Sequence, residues 1–468
     1  MKRIAFATTL TACVLSAVVH GIASAASLTD PYPSTYRAPA NPPTLIRSAT
    51  ILDGAGARLE NTDLLIVDGK IKTLGKALPN EAGARVIDAK GRWVTPGLID
   101  VHSHIGVFPT PQTVGNEDGN ETTTPATANV WVEHGVWPQD PAFATALAGG
   151  ITSLQILPGS GNLIGGRSVV LKNVPAVTYQ AMKFPDSRQG LKMACGENPK
   201  RNYGARQQFP RTRMGNVAGF RAQWTEGQDY LRDWKRYEDS LRKGGKAAED
   251  AKPPKRDLRL ETLAGALRGD ILVHVHCYRS DEMAVMLDLA REFGFQIASF
   301  EHATEAYKIT KMLAEHKVCA AMWADWWGAK MEVYDGIPEN IAMVDAARDG
   351  CAILHSDDPN DIQRLNQEAG KAMARGRAAG FDIAPERAIR WLTANPAKSL
   401  GILEKTGTLE PGKMADVVVW NRNPFSVYAR ADQVFIDGSL EYDRADPGTK
   451  PRSDFMLGQP AITKGGRK

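Results

Sequence analysis

The sequence predicts an α/β protein in two parts: a (β/α)8 TIM-like barrel and a small β-sandwich domain built from both chain ends. Three observations carry this expectation. Between residues 96 and 403, short apolar runs suited to buried parallel strands alternate with helix-period segments, and there are eight such runs. On either side the pattern turns to alternating β segments, each side too short to close a core alone. Several of the eight runs end in His, Glu or Asp, where barrel enzymes build their sites.

Residues 1–25 read as an export signal. Lys2 and Arg3 are basic, Ile4 to Val19 is mostly apolar, and Ala23-Ser24-Ala25 is a small-residue cleavage site. Cleavage after Ala25 would deliver the chain to the bacterial periplasm or beyond. Leu10-Thr11-Ala12-Cys13 also resembles a lipobox, but few apolar residues precede it and the apolar run continues past it. No other stretch reaches the ~18 apolar residues of a membrane helix, so no stable membrane span is expected after cleavage. Removing 25 of the 468 residues leaves 443, enough for a large domain and a smaller one. Losing Lys2 and Arg3 takes the formal charge from +4 to +2, which argues against a nucleic-acid partner. The expected partner is a small-molecule substrate; monomer and homo-oligomer both stay open. Cys195, Cys277, Cys319 and Cys351 remain after cleavage. Their even number invites a disulfide reading. Their wide spacing and apolar settings favour buried thiols instead.

In chain order, residues 26–44 form an irregular lead-in rich in Pro, Ser and Ala. Residues 45–95 supply the first sandwich strands, TLIRSATIL, DLLIVDGKIKTLG and ARVIDAKGRWV, punctuated by glycines. The barrel strands are expected at 98–102, 151–157, 168–172, 191–196, 271–276, 296–301, 318–322 and 351–355. Asp140-Pro141 starts a helix that Gly149-Gly150 ends. Ser280 caps another that runs to Arg291, with Gly294 after it. Pro385 opens ERAIRWLTA. Two insertions, 106–139 and 198–269, follow strands 1 and 4 and are placed to form walls of the barrel mouth. In the second, Trp224, Leu231, Trp234 and Leu241 recur at helical spacing and predict a packed amphipathic helix. Residues 404–445 return to β and complete the sandwich; 446–468 are a tail.

The chemistry gathers at strand ends. WVTPGLIDVHSHIGVF reads as a buried strand closing on His102 and His104, whose side chains point the same way two residues apart. Strand 4 ends at Glu197, strand 5 at His276, strand 6 at His302 and strand 8 at Asp357. Imidazoles and carboxylates converging from these ends suit a divalent metal, zinc before manganese or iron, as one or two ions. His274 shares a face with His276, and Arg201 and Tyr203 follow Glu197; these three are candidate substrate-binding residues. Asp358 is placed to orient the Asp357 loop or His355.

The motifs GLIDVHSH, EHAT, HSDD, LTANPAKSLGI and GTLEPGKMADVVVW, with the strand-5 His, resemble the amidohydrolase superfamily, in the branch of imidazolonepropionase and the metal-dependent prolidases. The resemblance covers residues 45–445. It implies a hydrolase of C–N bonds other than ordinary peptide bonds, acting on a cyclic amide, an N-acyl amino acid or a small dipeptide. His102 and His104 would hold the more buried metal, and His276 and His302 a second one or part of the first. Asp357 would be a ligand and the general base for a metal-activated water. Many relatives place a carboxylated Lys on strand 4; here Lys192 reads as lying early in the strand, away from the metals, so Glu197 is preferred as the bridge. A deaminase is the runner-up, but such relatives usually carry a Glu where this chain has Arg279. A non-catalytic ligand-binding relative would not need the full ligand set.

Overall fold

The computed structural model describes residues 30–446 and 448, apart from 327 and 329. The signal segment with Cys13, and nearly all of the tail, lie outside the described residues. Five strands precede the barrel: β1 (Thr44–Leu52), β2 (Arg58–Val67), β3 (Lys70–Gly75), β4 (Arg85–Asp88) and β5 (Trp93–Pro96). Eight form it: β6 (Leu98–Ser103), β7 (Ile151–Ile156), β8 (Ile164–Lys172), β9 (Gly190–Ala194), β10 (Leu272–Cys277), β11 (Ile297–His302), β12 (Cys319–Met322) and β13 (Ala352–Leu354). Three follow: β14 (Val417–Trp420), β15 (Ala431–Ile436) and β16 (Ser439–Asp443).

The composite domain forms as its strand pattern predicts. Its strands run β16-β15-β14-β5-β1-β2-β3, with β4 beside β1. The two chain ends meet where β14 pairs antiparallel with β5, Val418 opposite Thr95. Ile46, Ile51, Leu64, Val94, Val417 and Phe435 close one apolar core across that seam. The lead-in has no regular structure, yet it is fastened to both domains: Ser34 Oγ donates to the Lys183 carbonyl of the barrel at 2.6 Å, and buried Tyr36 donates to Asp437 of the sandwich at 2.8 Å.

The barrel sheet runs in chain order from β6 to β13. Along β10, Val273, Val275 and Cys277 face the helical layer, while His274 and His276 alternate with them and are fully buried. The edges β13 and β6 are tied by side chains and loop: Asp100 accepts from Ser356 N at 3.3 Å and from Ser356 Oγ, and Asp357 N donates to the His102 carbonyl at 3.0 Å.

One strand departs from an all-parallel barrel. β8 is antiparallel to both β7 and β9. Only residues 157–163 connect β7 to β8, too few for a crossover helix, so the chain must return in the opposite direction. Its last residue, Lys172, therefore lies at the sandwich side of the barrel. There its ammonium is buried 2.7 Å from Asp437 and 3.3 Å from Asp416. Thr406 Oγ1 donates to Asp416 at 2.7 Å, completing a polar lock between the domains.

Helix Pro141–Ala148 starts and ends where its Asp-Pro and Gly-Gly signals put it, with Asp140 accepting from Ala142 N at 2.9 Å. Helix Ser280–Phe293 begins at Ser280 itself, and Glu305 rather than Ser280 takes its free N–H. The Trp stripe lies on helix Arg213–Lys243; Trp224 is fully buried and stacks on Phe295 at 4.2 Å. Among the described residues no helix is long and apolar enough to cross a membrane.

The cysteines correct the thiol reading. Cys195 is bonded to Cys277, and Cys319 to Cys351. Register explains both. β9 pairs with β10 and β12 with β13, so residues 82 and 32 apart in sequence become lateral neighbours, with Cα separations of 5.3 and 4.6 Å. Wide spacing misleads in a barrel, because a whole helical unit separates adjacent strands.

Replacing Cys319 and Cys351 together by Ser is expected to lower unfolding stability by roughly 2–4 kcal/mol. Denaturant melts of oxidised protein would check it; an unchanged midpoint would exclude the bond in solution. Lys172→Met leaves two buried carboxylates uncompensated and is expected to cost about 3–5 kcal/mol in the same melt.

Candidate metal centre

Three donors converge at the open end of the barrel. His102 Nε2 lies 3.2 Å from His104 Nε2, and Asp357 Oδ1 lies 3.3 Å from the first and 3.1 Å from the second. Their partners settle which atoms carry protons. His102 Nδ1 faces the Glu301 carboxylate at 3.3 Å, and His104 Nδ1 faces the Leu157 carbonyl at 2.8 Å. Both partners are acceptors, so with each Nδ1 donating to its partner each Nε2 is left to offer a lone pair to a cation; without one, Asp357 and Glu301 favour the protonated form of His102. Two such lone pairs and a carboxylate oxygen in mutual contact repel unless a cation lies among them. Ligand atoms around a tetrahedral ion with bonds of ~2.0–2.1 Å lie about 3.3 Å apart. The observed spacing fits, and an N,N,O donor set suits zinc.

The backbone here is strained. Asp357 has φ 60° and His302 φ 72°, a region that non-glycine residues seldom enter. Asp100 and Ser356 hold the turn that presents Asp357. Burial pushes the Asp100 carboxyl up to about 6, against its bond from Ser356. Asp358 does a different task from the one expected: its carboxylate accepts from Asn360 N and Asp361 N and shapes the next turn.

His276 and His302 form the second tier. Their rings lie 4.5 Å apart, His302 is 4.7 Å from His102, and its Nδ1 is 4.0 Å from Asp357. Burial holds both imidazoles well below the ordinary range, and holds His355 down to about 3. Neutral imidazole is the metal-binding form. His276 Nδ1 and His302 Nδ1 are buried without a hydrogen-bond partner. Trp323 stacks on His302 at 4.3 Å, and Phe108 from the first insertion meets the His104 edge at 5.4 Å.

The two candidates on strand 4 exchange places. Lys192 is fully buried, alternating with Leu191 and Met193 so that it faces the barrel interior. Its ammonium donates to Pro158 O at 3.0 Å, next to the residue that orients His104, and it feels Asp357 and Glu301. Burial lowers it to about 8. Glu197 starts helix Glu197–Gly204, is partly exposed, and lies 3.8 Å from Lys330; it is not gathered with His102, His104 and Asp357.

Of the candidate substrate residues, Arg201 lines a cavity at the mouth. Tyr203 is buried, its hydroxyl held at 2.6 Å by both Thr124 O and Asn162 Oδ1, where it pins one insertion to the other. His274 sits one step deeper than His276, bonded to Ser299 at 2.8 Å and 3.5 Å from Glu301. It thus supports the carboxylate that orients His102. Glu301 was legible only as part of the EHAT motif, and Tyr278, Asn198 and Lys330 carried no signal. His276–Cys277–Tyr278 brings the Tyr278 ring 4.6 Å from His276.

The family model of the amidohydrolase family matches residues 93–440. An amidohydrolase, tasK, of Hapsidospora irregularis is 33% identical over 442 residues, covering 88% of this chain and 44% of its own. The chain thus spans less than half of that relative. A dihydroorotase of Pelotomaculum thermopropionicum is 49% identical over 61 residues, 13% of this chain and 14% of its own. The crystal structure of an amidohydrolase from Thermotoga maritima MSB8 aligns over 86% of this chain and 100% of that one, at TM-score 0.77 and 36% identity. The converging donors, the barrel with its composite sandwich and these likenesses agree, and the chain belongs to the amidohydrolase family.

Proposed function

We propose that this chain is an exported, metal-dependent hydrolase of a carbon–nitrogen bond in a small molecule: a cyclic amide, an N-acyl amino acid or a small dipeptide. The observation that carries it is the convergence of His102 Nε2, His104 Nε2 and Asp357 Oδ1 at one point in the barrel mouth. The two disulfides support export, since such bonds persist in oxidising compartments.

A divalent ion held by these residues, most simply zinc, would lower the pKa of water toward ~7 and polarise the scissile carbonyl. Asp357 takes the proton of the attacking water and returns it to the leaving nitrogen. Glu301 and the Leu157 carbonyl hold the two imidazoles in the tautomer that leaves Nε2 free. Trp323 and Phe108 shield the site. His276 and His302 would hold a second ion, and Lys192, whose amine would add carbon dioxide and release a proton to become a carbamate, would be the strand-β9 contribution in preference to Glu197. Position 279 speaks against a deaminase: Arg279 is bonded to Asp281 at 2.9 Å through Nε and Nη2, so that position offers the site no acid.

Asp357→Asn is expected to lower kcat by roughly 10²–10⁴-fold, as loss of a general base does. The measurement is turnover of whichever amide the metal-loaded wild type accepts from an N-acyl amino acid, dipeptide and cyclic amide panel. No turnover on any of them would sink the hydrolase reading. Elemental analysis separates the strand-β9 candidates. Lys192→Met is expected to hold less metal per chain than wild type, and Glu197→Ala as much. The reverse result would return the bridge to Glu197.

A further inference from the structure

Beside the metal centre lies a second concavity of about 300 Å³, lined by Asn120, Ser160, Gly161, Asn198, Arg201, Asn202 and Lys330. Four segments meet there: the first insertion, the β7–β8 connection, helix Glu197–Gly204 and the loop after β12. Its lining carries two cations and no carboxylate.

The two cations are held differently. Lys330 is fixed: its ammonium donates to Asn198 Oδ1 at 2.8 Å and to the Tyr278 hydroxyl at 3.2 Å, with Glu197 at 3.8 Å. Arg201 has no carboxylate partner among the described residues. Burial holds the Lys330 ammonium below its ordinary range; the Glu197 carboxylate opposes that shift, and the Arg201 charge across the cavity adds to it. Glu197 offsets part of the charge on Lys330, while the Arg201 guanidinium faces the space without a carboxylate, where a bound anion would meet it. A guanidinium fork beside an ammonium, with amide groups around them, matches a carboxylate.

The cavity is coupled to the metal centre through Asn198, and through Tyr278, which accepts from Lys330 and packs on His276. Asn198 accepts from Lys330 with its oxygen, and its nitrogen lies 3.3 Å from His276 Nε2. A group held at Arg201 and Lys330 is therefore one side chain away from the imidazole tier.

We propose that Arg201 and Lys330 form an anion subsite that binds a free carboxylate of the substrate, so that the preferred substrate is an N-acyl amino acid or dipeptide and not a neutral cyclic amide. This rests on the hydrolase reading and narrows it. Asn198 positions the ammonium, and Arg201 supplies the bidentate contact. The polar lining of Asn120, Ser160 and Asn202 accommodates a hydrated or hydrogen-bonding substituent beside the carboxylate.

The test compares N-acetyl amino acids with their methyl esters on the metal-loaded enzyme, for wild type, Arg201→Met and Lys330→Met. Wild type is expected to favour acids over esters by at least tenfold in kcat/KM, the scale of one lost charge-assisted contact. Both variants are expected to shrink that ratio, chiefly by raising KM for the acids. Equal rates on acid and ester in wild type, or an unchanged ratio in Arg201→Met, would overturn the subsite while leaving the hydrolase reading in place. If no compound turns over, calorimetric titration of the same N-acetyl amino acids decides separately. Binding to wild type that weakens tenfold or more in Arg201→Met upholds the subsite without the hydrolase; no binding, or equal binding, overturns it.

Discussion

Two imidazole nitrogens and a carboxylate oxygen, each about 3.2 Å from the others, form an arrangement that no apolar core would select. It persists because each member is held from behind. His102 is turned by Glu301, which Ser299 and His274 hold in turn. His104 is turned by the Leu157 carbonyl, at the start of the short connection to β8. Asp357 is presented by a left-handed turn that Asp100 and Ser356 fasten. These second contacts come from β6, β7, β10, β11 and the loop after β13. The site is therefore a property of the closed barrel and not of any one motif.

The same logic explains why β8 runs backward. A helix after β7 would carry the chain away from the mouth. The short connection instead keeps Leu157, Pro158, Ser160 and Gly161 at the rim, where they orient His104, receive the Lys192 ammonium and line the second cavity. The reversal also delivers Lys172 to the far end, where Asp416 and Asp437 of the sandwich surround it. One antiparallel strand thus serves the site at one end and joins the domains at the other. An ion pair of this kind is weak evidence for added stability, but breaking it exposes the full desolvation cost of what remains.

Much of this was legible in the sequence, for a physical reason. Buried strands announce themselves by apolar runs and helices by capping residues. All eight barrel strands were found, most within a few residues of their observed ends, and His102, His104 and Asp357 fall together as expected. What failed depended on lateral neighbours, which sequence spacing hides. The disulfides required knowing that β9 pairs with β10 and β12 with β13. Lys192 was misplaced because strand position does not reveal which face turns inward; one residue decides between the helical layer and the barrel axis. Tyr203 looked like a binding residue from its place after Glu197, whereas its hydroxyl is consumed in joining the two insertions. Lys330 gave no signal at all, since it sits in an irregular loop and gains meaning only from Asn198 and Tyr278.

The barrel interior also shows where the molecule accepts instability. Lys192, Glu301, Asp100 and five histidines are removed from water within a few residues of one another. Each ionised group there must meet an opposite charge or a hydrogen bond, or shed its charge. Burial already moves Lys192 toward neutrality and keeps most of the histidines uncharged, so the cluster carries less net charge than its residue types suggest. The left-handed turns at His302 and Asp357 add backbone strain at the same place. The compensating order lies outside the axis, in the apolar layer between strands and helices and in Cys195–Cys277, which clamps β9 to β10 immediately behind His276 and Tyr278. A polar, strained interior is tolerable only inside such a frame, because any sideways opening of β9 from β10 would separate Lys192 from His274, its partner across the ladder, and admit water among the buried polar groups.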